Sequence, residues 1–370
     1  MRRLLRILLK TLLILAILLA GYTPLQPEPM LGKISFYNGL FPGRERLPFG
    51  ETPRTAYNFS LSNLNAMFSS HKISGAGKLV SEEIRVVVLG DSSTWGTLLK
   101  PEETLAGQLD GKIIELNGTE QTLQVFNLGY PTLSLSKDLL LLNRAMEYQP
   151  DLILWPLTME SFPIDKQLAT ALVADNLKEL STTFQKASIS PQWFESEKGT
   201  ESWWAKSLFS QRRALWDLIR LQLYGFLWAG TGIDQDYPQD YPKPTIDFQA
   251  DDTFHSISGV YPDELMAWDV LEAGLKTAGD TPILFINEPM LISNGENSDI
   301  RYNFYYPVEA YDYWHREFLN RCKSNQWHCQ DYWDILPNIV FTNSAIHYNL
   351  EGAVVLSEKL METIPKLLEQ

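Results

Sequence analysis

The chain has 370 residues, 45% of them hydrophobic and 21% charged, with 22 Gly and 21 Pro. This is a globular balance with enough apolar mass for a sizeable core; it excludes global disorder and a fibrous repeat, and suits one α/β domain with insertions or two domains. Formal charge is −14, and because Arg2, Arg3, Arg6 and Lys10 sit together at the start, residues 11 to 370 hold 27 basic against 45 acidic groups. A body that acidic excludes a nucleic-acid partner.

Arg2 to Lys10 is a basic region, and Thr11 to Tyr22 is an uncharged apolar run that continues the leucines of Leu4 to Leu9. Residues 1–23 therefore read as a signal anchor in the lipid bilayer or a signal peptide. Leu18 stands where a small residue is preferred before a cut after Ala20, which favours retention. The positive flank predicts a cytoplasmic N-terminus with everything after Pro24 outside. Residues 24–81, rich in Pro, Gly, Ser and Asn, read as a stalk and an irregular N-terminal region.

The ordered domain is expected over 82–370. Ile84 to Leu89, Val125 to Leu128, Leu152 to Trp155 and Ile283 to Ile286 are short apolar runs expected as buried strands. Ser136 to Tyr148, Asp263 to Ala278, Tyr311 to Lys323 and Gly352 to Leu368 read as helices between and after them. That alternation predicts a parallel three-layer α/β sheet with right-handed crossovers. The interval of about 164–260 is too long for a crossover and reads as a largely helical insertion packed over one end of the sheet, ending in a loop with Asp236-Tyr237-Pro238 and Asp240-Tyr241-Pro242. Within it, Trp203, Trp204, Leu208, Phe209, Leu215, Trp216, Ile219, Leu223, Phe226, Leu227 and Trp228 recur at helical spacing. Ordinary core packing is the preferred explanation, and a helix against lipid or a membrane partner, with Arg212, Arg213 and Arg220 at the headgroups, is the alternative.

Cys322 and Cys329 are the only cysteines. In an exported chain they read as a local disulfide closing a loop after a helix; with His328 they offer too few ligands at the wrong spacing for a zinc site.

Gly90-Asp91-Ser92-Ser93-Thr94-Trp95-Gly96 follows the first buried strand directly. The C-terminal ends of parallel strands are where ligands and reactive groups gather. Ser92 is thus a candidate nucleophile at a helix N-terminus, or else an N-cap. A serine needs a base, and His71, His255, His315 and His328 lie elsewhere in the pattern. His347, in the loop Phe341 to Gly352 before the last helix, can return to the mouth of the first strand.

These segments resemble the SGNH (GDSL-like) hydrolase superfamily, in particular its membrane-anchored, extracytoplasmic branch of polysaccharide O-acetyl transfer proteins and esterases. The resemblance runs from about Ile84 to Leu368, outside the insertion, and implies a flavodoxin-like fold. Gly90 to Gly96 matches Gly-Asp-Ser-x-Thr-x-Gly, and His347 matches the late histidine. It implies Ser92 as nucleophile, His347 as base, and the backbone N–H groups of Ser92 and Thr132 as oxyanion donors, with Asp91 and Gly129 in support. Asn127-Leu128-Gly129-Tyr130-Pro131-Thr132 resembles the second block, with Thr132 where glycine is usual. Where the third block brings Gly-x-Asn-Asp, this chain has Leu157-Thr158-Met159-Glu160. Ser344, preceded by Asn343, takes the place of the aspartate three residues before the histidine, so Asp331 or Asp334 would orient His347, or a Ser-His dyad suffices.

The implied activity is that of a serine esterase or O-acyltransferase on acyl esters, acetyl among them, of a cell-envelope or extracellular glycan. No metal or organic cofactor is implied, and a membrane-embedded acyl-transfer partner is. The alternative is an inactive SGNH-like glycan-binding or assembly protein. Glu288, after the fourth strand, reads as a turn or capping residue, with substrate contact as the second choice. The 11 Trp and 16 Tyr suit sugar stacking but more often fill cores.

Overall fold

The computed structural model describes residues 2–31, 34, 36, 40, 63–77, 82–195, 207–231 and 262–369. In chain order the elements used below are α1 (Arg2–Leu25), α2 (Leu64–Ser70), β1 (Glu83–Val88), α3 (Ser92–Trp95), β2 (Ile113–Leu116), β3 (Thr119–Asn127), α4 (Leu135–Ala145) and β4 (Leu152–Leu157). They continue with α5 (Leu177–Ala187), α6 (Arg212–Thr231), α7 (Trp268–Ala278), β5 (Ile283–Asn287), α8 (Val308–Ser324), β6 (His328–Asp331) and α9 (Leu350–Leu368). The chain divides into two compact units, one of Met1–Ser74 with Ser196–Gln235 and one of Gly75–Glu195 with Asp236–Gln370.

In the larger unit six strands form one sheet in the order β2-β3-β1-β4-β5-β6. Only the β2–β3 pair is antiparallel. The five parallel strands thus follow the 2-1-3-4-5 order of a flavodoxin-like doubly wound sheet, whose direction of winding reverses beside β1. Val86 to Val88, Ile153 and Ile283 supply the β-branched surface that a strand buried on both faces needs. Alternate residues serve opposite layers. Val86, Val88, Leu152, Leu154, Leu284 and Ile286 pack with Leu356, Leu360 and Ile364 of α9 and Leu105 and Leu109 of a short helix after β1. On the other face Trp155 meets Phe285 at 5.7 Å, and α7 approaches so closely that a Cβ at Gly274 would lie 2.5 Å from the Trp155 ring. Trp314 of α8 closes that layer against Phe162 and Trp268.

Two strands go beyond the sequence expectation. β2 joins β3 through Asn117-Gly118, both with positive φ (51° and 77°), the dipeptide that a two-residue hairpin prefers. β6 is His328-Cys329-Gln330-Asp331, too polar to show as an apolar run, and its Cys329 forms the disulfide with Cys322 in the last turn of α8. The segment 164–195 packs on the helical layer through α5, against α4 and α7, and belongs to the α/β unit. The tandem Asp-Tyr-Pro, His255, Trp203 and Trp204 lie outside the described residues.

In the smaller unit, α1 is long and apolar enough to cross a membrane and its apolar side chains are exposed. Within the segment read as a stalk, residues 63–77 carry α2, with Met67, Phe68 and Ile73 buried and the buried His71 accepting the Ile73 N–H at Nδ1.

Candidate active site

Register alone sets the frame of the site. Val88 pairs with Asn127, Leu157 with Asn287, and Asn287 with Asp331, so the loops after β1, β3, β4, β5 and β6 all leave the same C-terminal edge. Ser92 follows β1, at the reversal of winding where such sheets hold their ligands.

Asp91, not Ser92, is the N-cap of α3: its carboxylate accepts the Ser93 N–H at 2.8 Å. Ser92 becomes the first helical residue with its hydroxyl released from capping. Gly90, at φ 138°, lies where any Cβ would strike Thr94. The second loop is drawn against this turn. Asn127 donates from Nδ2 to Thr94 O at 2.8 Å and accepts the Gly129 N–H at 2.9 Å, and a Cβ at Gly129 would sit 2.4 Å from Trp95 N.

His347 arrives from the opposite end of the domain sequence. Its loop is tied by Thr342 N–H to His347 O at 2.7 Å and by Leu291 N–H to Ala345 O at 2.7 Å, and ends where Asn349 caps α9 through Gly352 N–H. His347 Nε2 lies 2.8 Å from Ser92 Oγ, and Nδ1 lies 2.9 Å from Asn343 Oδ1. Because an amide oxygen only accepts, that contact puts the proton on Nδ1 and leaves the Nε2 lone pair facing the Ser92 hydroxyl. Burial holds the imidazole below its usual pKa, against an opposing pull from Asp91.

Ser92, His347 and Asn343 therefore form a continuous chain. Asp331 is not part of it: its Oδ2 meets His315 Nε2 at 2.8 Å and its Oδ1 accepts from Asn287 at 2.8 Å. Asp334 is exposed on the loop after β6, and with both nitrogens of His347 engaged it does not orient the ring. Ser344 is buried.

The oxyanion side is sparser. The Ser92 N–H makes no hydrogen bond among the described residues, as an oxyanion donor requires. The Thr132 N–H is turned onto Tyr130 O at 2.6 Å, and the Gly129 N–H onto Asn127. In the third block the Thr158 hydroxyl bonds Tyr306 Oη, and buried Glu160 pairs with Lys166. The third block itself, Leu157 to Glu160, contains no asparagine.

Beneath the site lies a polar cluster that the motifs did not announce. Lys137, fully buried in α4, donates from Nζ to Gly90 O at 2.6 Å and Tyr130 O at 3.1 Å and pairs with Asp138 at 2.7 Å. One ammonium thus joins the loop of Ser92 to the second loop. Its signal was available: Lys137 shares its apolar helix face with Leu140 and Leu141. Glu288, expected as a turn or capping residue with substrate contact as the second choice, is buried and accepts from the Ser93 hydroxyl. Burial, reinforced by Asp91, pushes its carboxyl well above the usual range, and burial likewise raises Asp138 against the pull of Lys137. Among the described residues no group of three or more His, Cys, Asp or Glu side chains is placed to hold a metal ion.

No protein-family model matches the chain, and no curated protein matches it significantly in sequence. Among solved structures, a carbohydrate acetylesterase family member from Sinorhizobium meliloti is similar at 12% identity, with 78% of this chain and all of that one covered and a TM-score of 0.33. A protein of the G-D-S-L family from Desulfitobacterium hafniense DCB-2 is similar at 12% identity, with 75% and 98% covered and a TM-score of 0.34.

Proposed function

We propose that the chain is an extracytoplasmic serine esterase or O-acyltransferase of SGNH type. The observation that carries this reading is the chain of contacts from Ser92 Oγ through His347 to Asn343, with the imidazole in the tautomer of a base. Ser92 Oγ attacks the acyl carbonyl and its proton passes to His347 Nε2. The carbonyl oxygen takes the negative charge beside the Ser92 N–H. The C–O bond to the leaving alkoxide then breaks, and His347 returns the proton to that oxygen. Water, or a sugar hydroxyl, repeats the sequence in reverse on the acyl-serine, giving hydrolysis or transfer. The resemblance and the apolar α1 favour an acylated envelope glycan as substrate and a membrane-embedded protein as acyl source.

A second reading, a glycan-binding or assembly protein without turnover, draws on the engaged Thr132 N–H and Thr158 hydroxyl, which leave the Ser92 N–H, of the two expected backbone donors, as the one without a hydrogen bond among the described residues. The full-length chain in nanodiscs, exposed to a fluorescent fluorophosphonate, separates the two. Labelling of wild type that is lost in Ser92→Ala and His347→Ala supports the esterase; a folded wild type that takes no label supports the second reading.

A further inference from the structure

Helix α6 is built inside out. Trp216, Leu223 and Leu227 are 62, 58 and 63% exposed, and Phe209, Ile219 and Phe226 are exposed with them, while Asp217 and Gln222 are 6 and 7% exposed. Positions 216, 219, 223, 226 and 227 fall three or four apart and form one stripe. Both polar residues have partners. Asp217 pairs with Arg220 at 2.8 Å, and Gln222 accepts the Phe36 N–H at 2.9 Å and donates to Ile34 O at 3.4 Å. In water this arrangement leaves large apolar side chains exposed while polar ones are buried. Against lipid it is the stable one, because acyl chains solvate the stripe and polar groups must be satisfied internally. Core packing, the preferred sequence expectation for this stripe, does not describe it.

Two further observations fix where the lipid is. Gln222 holds the chain only nine residue steps after α1 ends at Leu25, at most about 32 Å even if fully extended, and the helical turn Glu28–Leu31 shortens it. The sheet then limits the depth. β1 to β4 precede α6 and β5 and β6 follow it, yet all six share one sheet, so the chain leaves and returns on one side of any membrane. The 20 residues of α6 are about 30 Å long, enough to span. Residues 232–261, however, carry Asp234, Asp236, Asp240, Lys243, Asp247, Asp251 and Asp252 and cannot make the return crossing.

We infer that α6 is an interfacial helix lying in the surface of the same bilayer that α1 enters, with its apolar stripe among the acyl chains and Arg212 and Arg213 at anionic headgroups. The inference rests on α1 being in the membrane. In the full-length chain, reconstituted in nanodiscs of phosphatidylcholine and phosphatidylglycerol, spin labels are placed singly by Trp216→Cys, Leu223→Cys, Leu227→Cys, Leu13→Cys in α1 and Glu358→Cys in α9. Both native cysteines are held in the disulfide. The three stripe positions should match Leu13, with a ratio of collisions with oxygen to collisions with a water-soluble nickel chelate at least tenfold above that at Glu358. Stripe labels open to the chelate while Leu13 is in lipid would overturn the inference alone, as would labels shielded from both reagents, which signify a covering protein. Leu13 in water would overturn the anchor and, with it, the inference.

Discussion

Replacing Asn343 by aspartate puts a formal charge where a neutral amide now orients His347. The Nδ1 to Oδ1 distance is 2.9 Å. At that separation an ion pair is worth about 1.4 kcal/mol in bulk-water dielectric and several times more in partly buried surroundings. Asn343 is exposed while the imidazole is half-buried, so the lower figure governs, or about one pKa unit. The sign follows directly. Burial now holds His347 low, which keeps the base unprotonated into mildly acidic solution; a carboxylate at position 343 favours imidazolium and moves the acid limb of kcat/KM up by about one unit. The same charge stabilises the imidazolium formed as Ser92 attacks, so the plateau above that limb rises by up to about tenfold. Asn343→Leu, which removes the acceptor, lowers the plateau because the Nδ1 proton loses its partner. The assay is the pH dependence of hydrolysis of a chromogenic acetate ester, with Ser92→Ala as blank. An Asn343→Asp profile that keeps both its limb and its plateau would refute the role assigned to this contact.

Two further perturbations test the cluster beneath the site. Lys137→Met strands the Asp138 carboxyl and the Gly90 and Tyr130 carbonyls in the core, and should cost about 3–5 kcal/mol, with Lys137→Met/Asp138→Leu recovering a measurable part. Denaturation midpoints check this, and a single variant within about 1 kcal/mol of wild type counts against a clamp. Glu288→Gln should melt higher than wild type at pH 8 but not at pH 4. A carboxyl whose folded pKa is raised binds its proton in the native state while the unfolded chain has released it, so wild-type stability falls as pH rises from about 4.3 toward the folded value. A difference in Tm that does not vary with pH would contradict this assignment.

Much of this architecture was legible because the physics that forms it is local. Val86 to Val88 and Leu152 to Leu154 are buried on both faces and read as apolar runs, and Gly90 ends β1 within a residue of its expected limit. β6 was not legible, since His328-Cys329-Gln330-Asp331 earns its place by pairing with β5 and by the Cys329 disulfide rather than by its own apolarity. β2 carried a signal in Asn117-Gly118 that its four-residue length obscured. In the site, Ser92 and His347 stood out by motif and order, whereas the partner of the ring depended on how a nine-residue loop folds back. Asn343 is four residues from His347 and reaches Nδ1; Asp331 is closer to the expected chemistry but is committed to His315 and Asn287. The exposure of the α6 stripe was also beyond the sequence, because helical spacing marks a face without saying what covers it.

The same cluster bears on whether the site can hold an oxyanion with so few donors. Asp91, Asp138 and Glu288 all lie behind the Ser92 turn, and three carboxylates there would oppose negative charge developing on a substrate carbonyl. Burial and repulsion from Asp91 push Glu288 toward the neutral form; burial raises Asp138 as well, against the pull of Lys137, with which it stays paired. Lys137 donates from Nζ to Gly90 O, one peptide unit before the Ser92 N–H. Asp91 accepts the Ser93 N–H, and the proton favoured on Glu288 lowers the negative charge behind the Ser92 N–H. In that balance the α3 N-terminus retains its favourable potential for an oxyanion, and removing the Glu288 proton weakens it. Deprotonation of Glu288 at high pH therefore acts on stability and turnover in the same direction, whereas a purely structural Glu288 would leave the alkaline side of the kcat/KM profile unchanged in Glu288→Gln.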